Sequence, residues 1–452
     1  MPTQPLETYT NRIRSKHVGI PMLALSIACR RPMVIRHAPS IGDMEWLCTV
    51  ADLIGDNVSM SGTTLTYVPR RLDPGESLDI TTLRCSLRQS ILLAPLVMHI
   101  ETLSMPTPSG DDIGSRPLDA YKDVLTAFGI GLRFQTGVLT CANIGLPDNA
   151  DKRVLELQVP STGVTFVALA CAQNAGISYL TIRNASSDPE VAETLLAFFP
   201  QQAFGMDAGA LSLQGGMRAT VDQAAPLDRI ALAELLIAAE LHGVPQSTRF
   251  LWSELRPRIG AEFFTTLEAL RDDDARTPTL DLQASQYPGL STDILPSMTT
   301  ALWLRQQPFR VTDMIFERRM SKLQATLSAV DPRGFVLHAG GFSFTPQSHP
   351  ERNGSAGGIW ESDNIRQTSS GILALVAPGS PVWKVVDNSR SIFRAYTMDW
   401  FEALERITGR RLYISHCATG GCEFTVDAPP EPQALHAELA QERLPAWQEE
   451  TS

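Results

Sequence analysis

An internal period constrains this chain more than any other feature. Apolar runs of helical character start near Ile20 (IPMLALSIA), Ser90 (SILLAPLV), Thr165 (TFVALACA), Leu232 (LAELLIAA), Met298 (MTTALWL) and Gly371 (GILALVA). They recur about every 70 residues, a spacing that requires repeated supersecondary units. Most are followed by a short β-branched strand: MVIRHA, SYLTIRNA, FRVTDMIFE and KVVDN. A second, amphipathic helix often comes next, as in MEWLCTVADLIG, AYKDVLTAFG, EVAETLLAFF, KLQATLSAV and WFEALERITG. A strand pair around a turn then closes the unit, as in NVSMSGTTLTYV and GLRFQTGVLTCA. The pattern predicts six βαβα-type units, of which the fourth is the least clear.

Mixed units of this size suit two bundles of three better than one solenoid, whose repeats are shorter and more alike. The 452-residue length therefore predicts an α/β protein of two domains, with helices inside and sheets outside. The expected boundaries are 17–224 for the first domain and 1–16 plus 225–425 for the second. The segment MRATVDQAAPLD after Gly216 is the crossing point. Residues 426–452, rich in Pro, Glu, Gln and Ala, form an expected peripheral tail, and 345–358 an expected long polar loop.

The net charge of -11 argues against a nucleic-acid partner, because phosphate backbones need basic stripes. An anionic substrate would need a local cluster of cations in this acidic chain. Seven scattered cysteines read as reduced and intracellular. No apolar run is long enough to span a bilayer, and the amino terminus lacks the apolar core of a signal peptide. A cytoplasmic protein is expected. His416, Cys417 and Cys422 supply only three local ligand candidates, one short of a zinc set, so no metal is expected. No cofactor is expected either.

The segment PSGDDIGSRPLDAY, residues 108–121, is the most suggestive local stretch. Pro108, Ser109 and Gly110 favour a reversal. Asp111 and Asp112 place two carboxylates at its tip, and Arg116 is held extended by Pro117. An acid beside an arginine, ahead of a helix, suits proton transfer to an anionic substrate. A solvated surface loop is the alternative.

Six motifs in order carry a resemblance. SKHVGIPMLALSIACRRPMVIRHAPSIGD is similar to the start of the enolpyruvyltransferases, where a Lys-Asn pair precedes an Ala-Leu-Pro helix. PSGDDIGSRPLD resembles that family's catalytic loop, and DPEV at 188–191 its third-unit turn. LDRIALAELLIAA resembles the start of its second domain, YPGLSTDILPSMTTAL its acceptor site, and MIFERRM a motif that follows. The resemblance runs from about residue 13 to about residue 420, and is nearer to the UDP-N-acetylglucosamine branch than to the shikimate branch. It implies an inside-out α/β barrel pair, which agrees with the count of six units.

The resemblance also implies a reaction: transfer of the enolpyruvyl group of phosphoenolpyruvate to a hydroxyl of a uridine nucleotide, with release of phosphate. The phosphate and carboxylate of phosphoenolpyruvate would be clamped by Lys16, Arg116, Arg366 and Arg394, since guanidiniums donate paired hydrogen bonds to such groups. Asp111 stands where the family usually carries a cysteine. It is the implied general acid, with Asp112 as its rival, and its presence implies resistance to fosfomycin. Asp293 is the implied base, against the alternative that it caps a helix. Lys16 and Arg116 complete the implied catalytic set. The implied nucleotide contacts are His17, Arg88 (or Arg84), Pro117, Leu118, Asp119, Ser161, Thr162, Gly163, Asp293, Ile315 and Arg319. Ala120 follows them towards the uracil, and Arg229 takes the domain-crossing position.

Several residues depart from the family pattern. His17 replaces an asparagine, Lys322 replaces a histidine, and either Asp363 or Asn364 takes a second-domain aspartate position. The first strand is truncated, because little chain precedes Lys16. These changes cluster around the acceptor and imply retained chemistry with a changed acceptor. UMP is favoured, as in relatives from nucleoside-antibiotic pathways, over UDP-N-acetylglucosamine of cell-wall synthesis. A catalytically inactive nucleotide-binding relative is the reading from another class. Retention of Lys16, Asp111, Arg116, Asp293 and Arg319 argues against it. Only small-molecule partners are expected, with no membrane and no assigned oligomeric state.

Overall fold

The computed structural model describes residues 5–83, 88–108, 118–146, 151–207, 209–271, 278–316, 318–346, 358–417 and 420–426. The helices with the most apolar sequences are buried on every side. Lys16–Ala28, Thr162–Asn174, Arg229–Leu241, Leu295–Leu304 and Ile365–Val376 carry almost no exposed residue. A helix that is apolar all round can only lie inside the molecule. The run Arg88–His99 occupies the equivalent place as a 3-10 helix with Pro95 within it. It packs against both Lys16–Ala28 and Thr162–Asn174.

Five four-stranded sheets are built from the described residues, all with the same internal order. In one, Lys152–Glu156 pairs in parallel with Tyr179–Arg183, across the helix Thr162–Asn174. Tyr179–Arg183 then pairs antiparallel with Ala210–Gln214, which pairs with Phe204–Asp207. The amphipathic helix Pro189–Phe198 lies between these strands in sequence. Alternating burial along Tyr179–Arg183 shows one face on the core and one towards water.

Two units depart from the expected pattern. In the first unit the outer strand comes from far along the chain: Val221–Ala224 pairs in parallel with Met33–Arg36. The fourth unit is helical throughout its described residues. Arg229–Leu241 is followed by a short 3-10 turn and then by Leu251–Ile259 and Ala261–Ala269. Leu251, Leu255, Ile259, Phe263, Phe264 and Leu267 are buried there. Their spacing is helical, and the stretch lacks the β-branched alternation a strand needs. Gly260 joins the two helices with φ +95, and a Cβ there would lie 1.9 Å from the Pro288 carbonyl oxygen.

The buried apolar residues form two cores. One runs from Val18 to Ala225, and the other takes in Ile13 and residues from Ile230 to Phe424. The chain passes between them twice, side by side. Ser15 N–H donates to Pro226 O at 2.8 Å, Asp228 N–H to Ile13 O at 2.9 Å, and Arg14 bridges Leu227.

Candidate active site

Between the two cores lies a cavity of about 400 Å³. Five core helices, Lys16–Ala28, Thr162–Asn174, Arg229–Leu241, Leu295–Leu304 and Ile365–Val376, turn their amino-terminal ends towards it. Aligned dipoles make each such end favourable to anions, while the side chains of Ser161, Asp228 and Asn364 cap N–H groups at three of them. Lys16, Arg229, Arg319, Arg366 and Arg394 line the cavity, against the carboxylates of Asp188, Glu190 and Asp293. A local excess of cations thus sits inside a chain of net charge -11.

Asp293 is at the centre. Its Oδ1 accepts Arg319 Nη1 at 2.9 Å, and its Oδ2 accepts Arg366 Nη2 at 3.2 Å and lies 3.6 Å from His17 Nε2. Burial alone would raise this carboxyl's pKa, but Arg366 and Arg319 together hold it well below the usual carboxylate range. The residue at the cap position of the following helix is Ile294, so Asp293 is not spent on capping. Arg319 also donates to the Thr292 hydroxyl at 2.9 Å and lies over the Phe316 ring.

His17 Nε2 lies 3.0 Å from Arg366 Nη2. A guanidinium can only donate, so this nitrogen is the acceptor and the neutral ring carries its proton on Nδ1. Burial depresses the imidazole pKa, and neighbouring Lys16 and Arg366 add to this against the pull of Asp293. Arg366 is only 5% exposed. Burial works against its charge, but the Tyr396, Asp293 and Glu234 side chains more than compensate and raise its pKa.

The cations from the two halves of the cavity meet on Asp43. This carboxyl is 1% exposed. Arg394 Nε donates to its Oδ1 at 3.0 Å, and Lys16 Nζ lies 3.8 Å from its Oδ2. Nearby, Arg229 makes a two-pronged ion pair with buried Glu190 at 2.6 and 3.0 Å. Asp188 Oδ2 accepts the hydroxyls of Thr162 and Ser186, both at 2.9 Å. Gly163 is packed beneath Tyr121: a Cβ would lie 2.2 Å from the Tyr121 hydroxyl.

The cavity gathers Lys16, His17, Ser161, Thr162, Gly163, Asp293, Ile315, Arg319, Arg366 and Arg394 from the sequence-based set. Leu118 and Asp119 are not on its wall. Leu118 packs against the first core and Asp119 is exposed, while Tyr121, further along the same helix, does line the cavity. Asp111, Asp112, Arg116 and Pro117, Arg84, and the side chain of Arg88 lie outside the described residues. Asn364 is buried and caps the helix bearing Arg366, accepting Gln367 N–H at 2.9 Å. Asp363 is exposed and pairs with Lys322 at 3.0 Å, so neither takes a place on the wall. Asp43, Asp188, Glu190, Tyr121 and Phe316 were not singled out from sequence. Asp43 closes the SIGD motif and Asp188 opens DPEV, but their partners lie far along the chain.

No family model matches the chain. Relatives do. UDP-N-acetylglucosamine 1-carboxyvinyltransferase 2 of Caldanaerobacter subterraneus subsp. tengcongensis is 26% identical over 319 residues, which are 68% of this chain and 75% of that protein. UDP-N-acetylglucosamine 1-carboxyvinyltransferase of Anaeromyxobacter sp. (strain Fw109-5) is 25% identical over 390 residues, 81% of this chain and 88% of that one. The chain is thus similar to enolpyruvyltransferases along most of its length. Its fold agrees. The enolpyruvyl transferase NikO from Streptomyces tendae superposes with a TM-score of 0.62 over 92% of this chain and 95% of its own, at 16% identity. EPSP synthase from Acinetobacter baumannii gives 0.59 over 87% and 94%, at 12% identity. The inside-out α/β architecture is therefore shared by proteins with little sequence in common. Among the described residues, no helix is long and apolar enough to cross a membrane, and no group of acidic, His and Cys side chains could hold a metal.

Proposed function

We propose that this protein transfers the enolpyruvyl group of phosphoenolpyruvate to a hydroxyl of a uridine nucleotide, with UMP as the favoured acceptor. One observation carries the reading: Lys16, Arg366 and Arg394 converge with five helix amino termini on one cavity that also holds Asp293. Cations drawn from separate segments suit a substrate with both a phosphate and a carboxylate. The two halves of the chain take the roles of the two domains, with the substrates between them.

The chemistry requires a proton for the methylene carbon of phosphoenolpyruvate and a base for the acceptor hydroxyl. Asp111, in the catalytic-loop motif, is assigned the first task and Asp293 the second. Addition gives a tetrahedral adduct bearing a methyl group; Asp111, left as a carboxylate, takes one methyl proton back, and loss of phosphate with it restores the double bond. With two guanidiniums on it, Asp293 is a weak base. A substrate anion that draws Arg366 away removes one of them, and the carboxylate then becomes more basic. Substrate binding and base activation would thus be one event. Asp43 would hold Lys16 and Arg394 in register while the anion is absent.

The UMP assignment rests on His17, which places an imidazole where the family has an asparagine, beside the base. UDP-N-acetylglucosamine is the second reading, favoured by the names of the relatives at 24–26% identity. Phosphate release from phosphoenolpyruvate, with each nucleotide in turn and the product weighed by mass spectrometry, separates the two. Release with UMP alone supports the first, and release with UDP-N-acetylglucosamine alone replaces it with the second.

A further inference from the structure

A fully buried acid lies behind the cavity, and no step above uses it. Glu234 sits on the helix Arg229–Leu241 and is 0% exposed. Its Oε1 accepts the hydroxyls of Ser297 at 2.8 Å and Ser369 at 2.7 Å. Ser369 stands three residues after Arg366 on the helix Ile365–Val376, so this carboxyl holds the turn that carries the arginine. The Tyr396 oxygen accepts Arg366 Nη1 at 2.6 Å. The far edge of the guanidinium, Nη2, reaches Asp293 and His17 in the cavity. A phenol therefore holds the inner edge of a cavity arginine, and a core carboxyl holds the helix turn behind it. The Tyr396 ring also lies under that guanidinium, 5.5 Å from centroid to Cζ.

We propose that Tyr396 and Glu234 are positioning residues for enolpyruvyl transfer: Tyr396 ties down Arg366 Nη1 and Glu234 anchors, through Ser369, the helix turn that carries it, so that Nη2 stays aimed at the substrate anion. This rests on the reading of the reaction given above. A buried guanidinium needs acceptors in every state of the cycle. When Arg366 exchanges Asp293 for substrate, the Tyr396 contact is the one that need not change. Holding one edge fixed spares the side chain from being reordered each time the anion arrives. Burial holds the Glu234 carboxyl above the usual carboxylate range, against Arg366 and the two serine hydroxyls. Such a group in an apolar core is costly without a task.

Tyr396→Phe removes one oxygen and Glu234→Gln is isosteric. Both are compared with the wild-type chain for KM of each substrate, kcat, and the Kd of phosphoenolpyruvate by calorimetry. Tyr396→Phe is expected to raise KM and Kd for phosphoenolpyruvate about tenfold, the size of a lost hydrogen bond to a charged group. KM for the nucleotide should change less than about twofold, since Arg366 is assigned to the other substrate. Glu234→Gln, whose amide oxygen still accepts the serine hydroxyls, should raise the same two constants about threefold. A Tyr396→Phe protein that melts earlier yet binds phosphoenolpyruvate as the wild type does overturns the proposal, as the contact is then merely structural. If the wild type binds phosphoenolpyruvate without turning it over, the reaction is wrong and the Kd comparison still decides the positioning role. A wild type that does not bind it overturns both.

Discussion

Asp293 joins three side chains that lie far apart in sequence, and its removal should separate binding from chemistry. Asp293→Asn keeps the shape but abolishes the base. Turnover should fall about 10²- to 10⁴-fold, the usual contribution of a general base, while phosphoenolpyruvate still binds by calorimetry. His17 makes a prediction of the opposite kind. Its folded pKa is depressed by burial, so the unfolded chain binds the proton more readily. Stability must therefore fall as pH drops through the ordinary imidazole value of about 6.5. In His17→Asn, urea unfolding should show a shallower loss over that range. His99 and His242, also depressed by burial, keep their share. Most cavity residues were legible in sequence because they sit within short motifs: Lys16 and His17 before an apolar helix, Asp293 in STDILP, Arg319 in FERR. Asp43 and Glu190 were not assigned, because their meaning lies in partners. Asp43 meets Arg394 across 351 positions and Glu190 meets Arg229 across 39. Tyr396 and Glu234 were hidden in the same way.

Elements were read from periodicity, and this succeeded where burial is one-sided. The helices Gly42–Leu53, Pro189–Phe198 and Met398–Thr408 each lie where an amphipathic pattern placed them. Sequence was less informative where the fold borrows. Nothing in Val221–Ala224 says that it completes the sheet of Met33–Arg36, since strand pairing is a tertiary choice. Among its described residues the fourth unit carries helices in place of a sheet, and Leu251 to Leu267 cover the core there. Two substitutions test how elements aim the site. Asn364→Ala deletes the cap of the helix bearing Arg366 and should cost about 1 kcal/mol in chemical denaturation. Gly163→Ala drives a methyl group into the Tyr121 hydroxyl and should cost about 1–3 kcal/mol by overpacking. It should also raise KM for the nucleotide, because Gly163 and Tyr121 both line the cavity.

At the scale of the whole molecule, two cores are held together by a doubled chain crossing and a few buried polar ties. Arg229 with Glu190 is the most enclosed of these, and Arg258 with Glu193 at 2.7 Å lies further out. Glu190→Ala would strand the Arg229 guanidinium, and a loss of about 3 kcal/mol is expected from thermal and urea unfolding. Salt should change that loss little, since the pair is screened from solvent. The cavity depends on both halves, so any variant that parts them should lose activity and stability together. The central claim is that this shared cavity carries out enolpyruvyl transfer to a uridine nucleotide. Its most direct test is phosphate release from phosphoenolpyruvate on adding UMP, followed by the mass of the nucleotide product. The account predicts phosphate release with formation of an enolpyruvyl-UMP. No phosphate and no new nucleotide with either UMP or UDP-N-acetylglucosamine would contradict it.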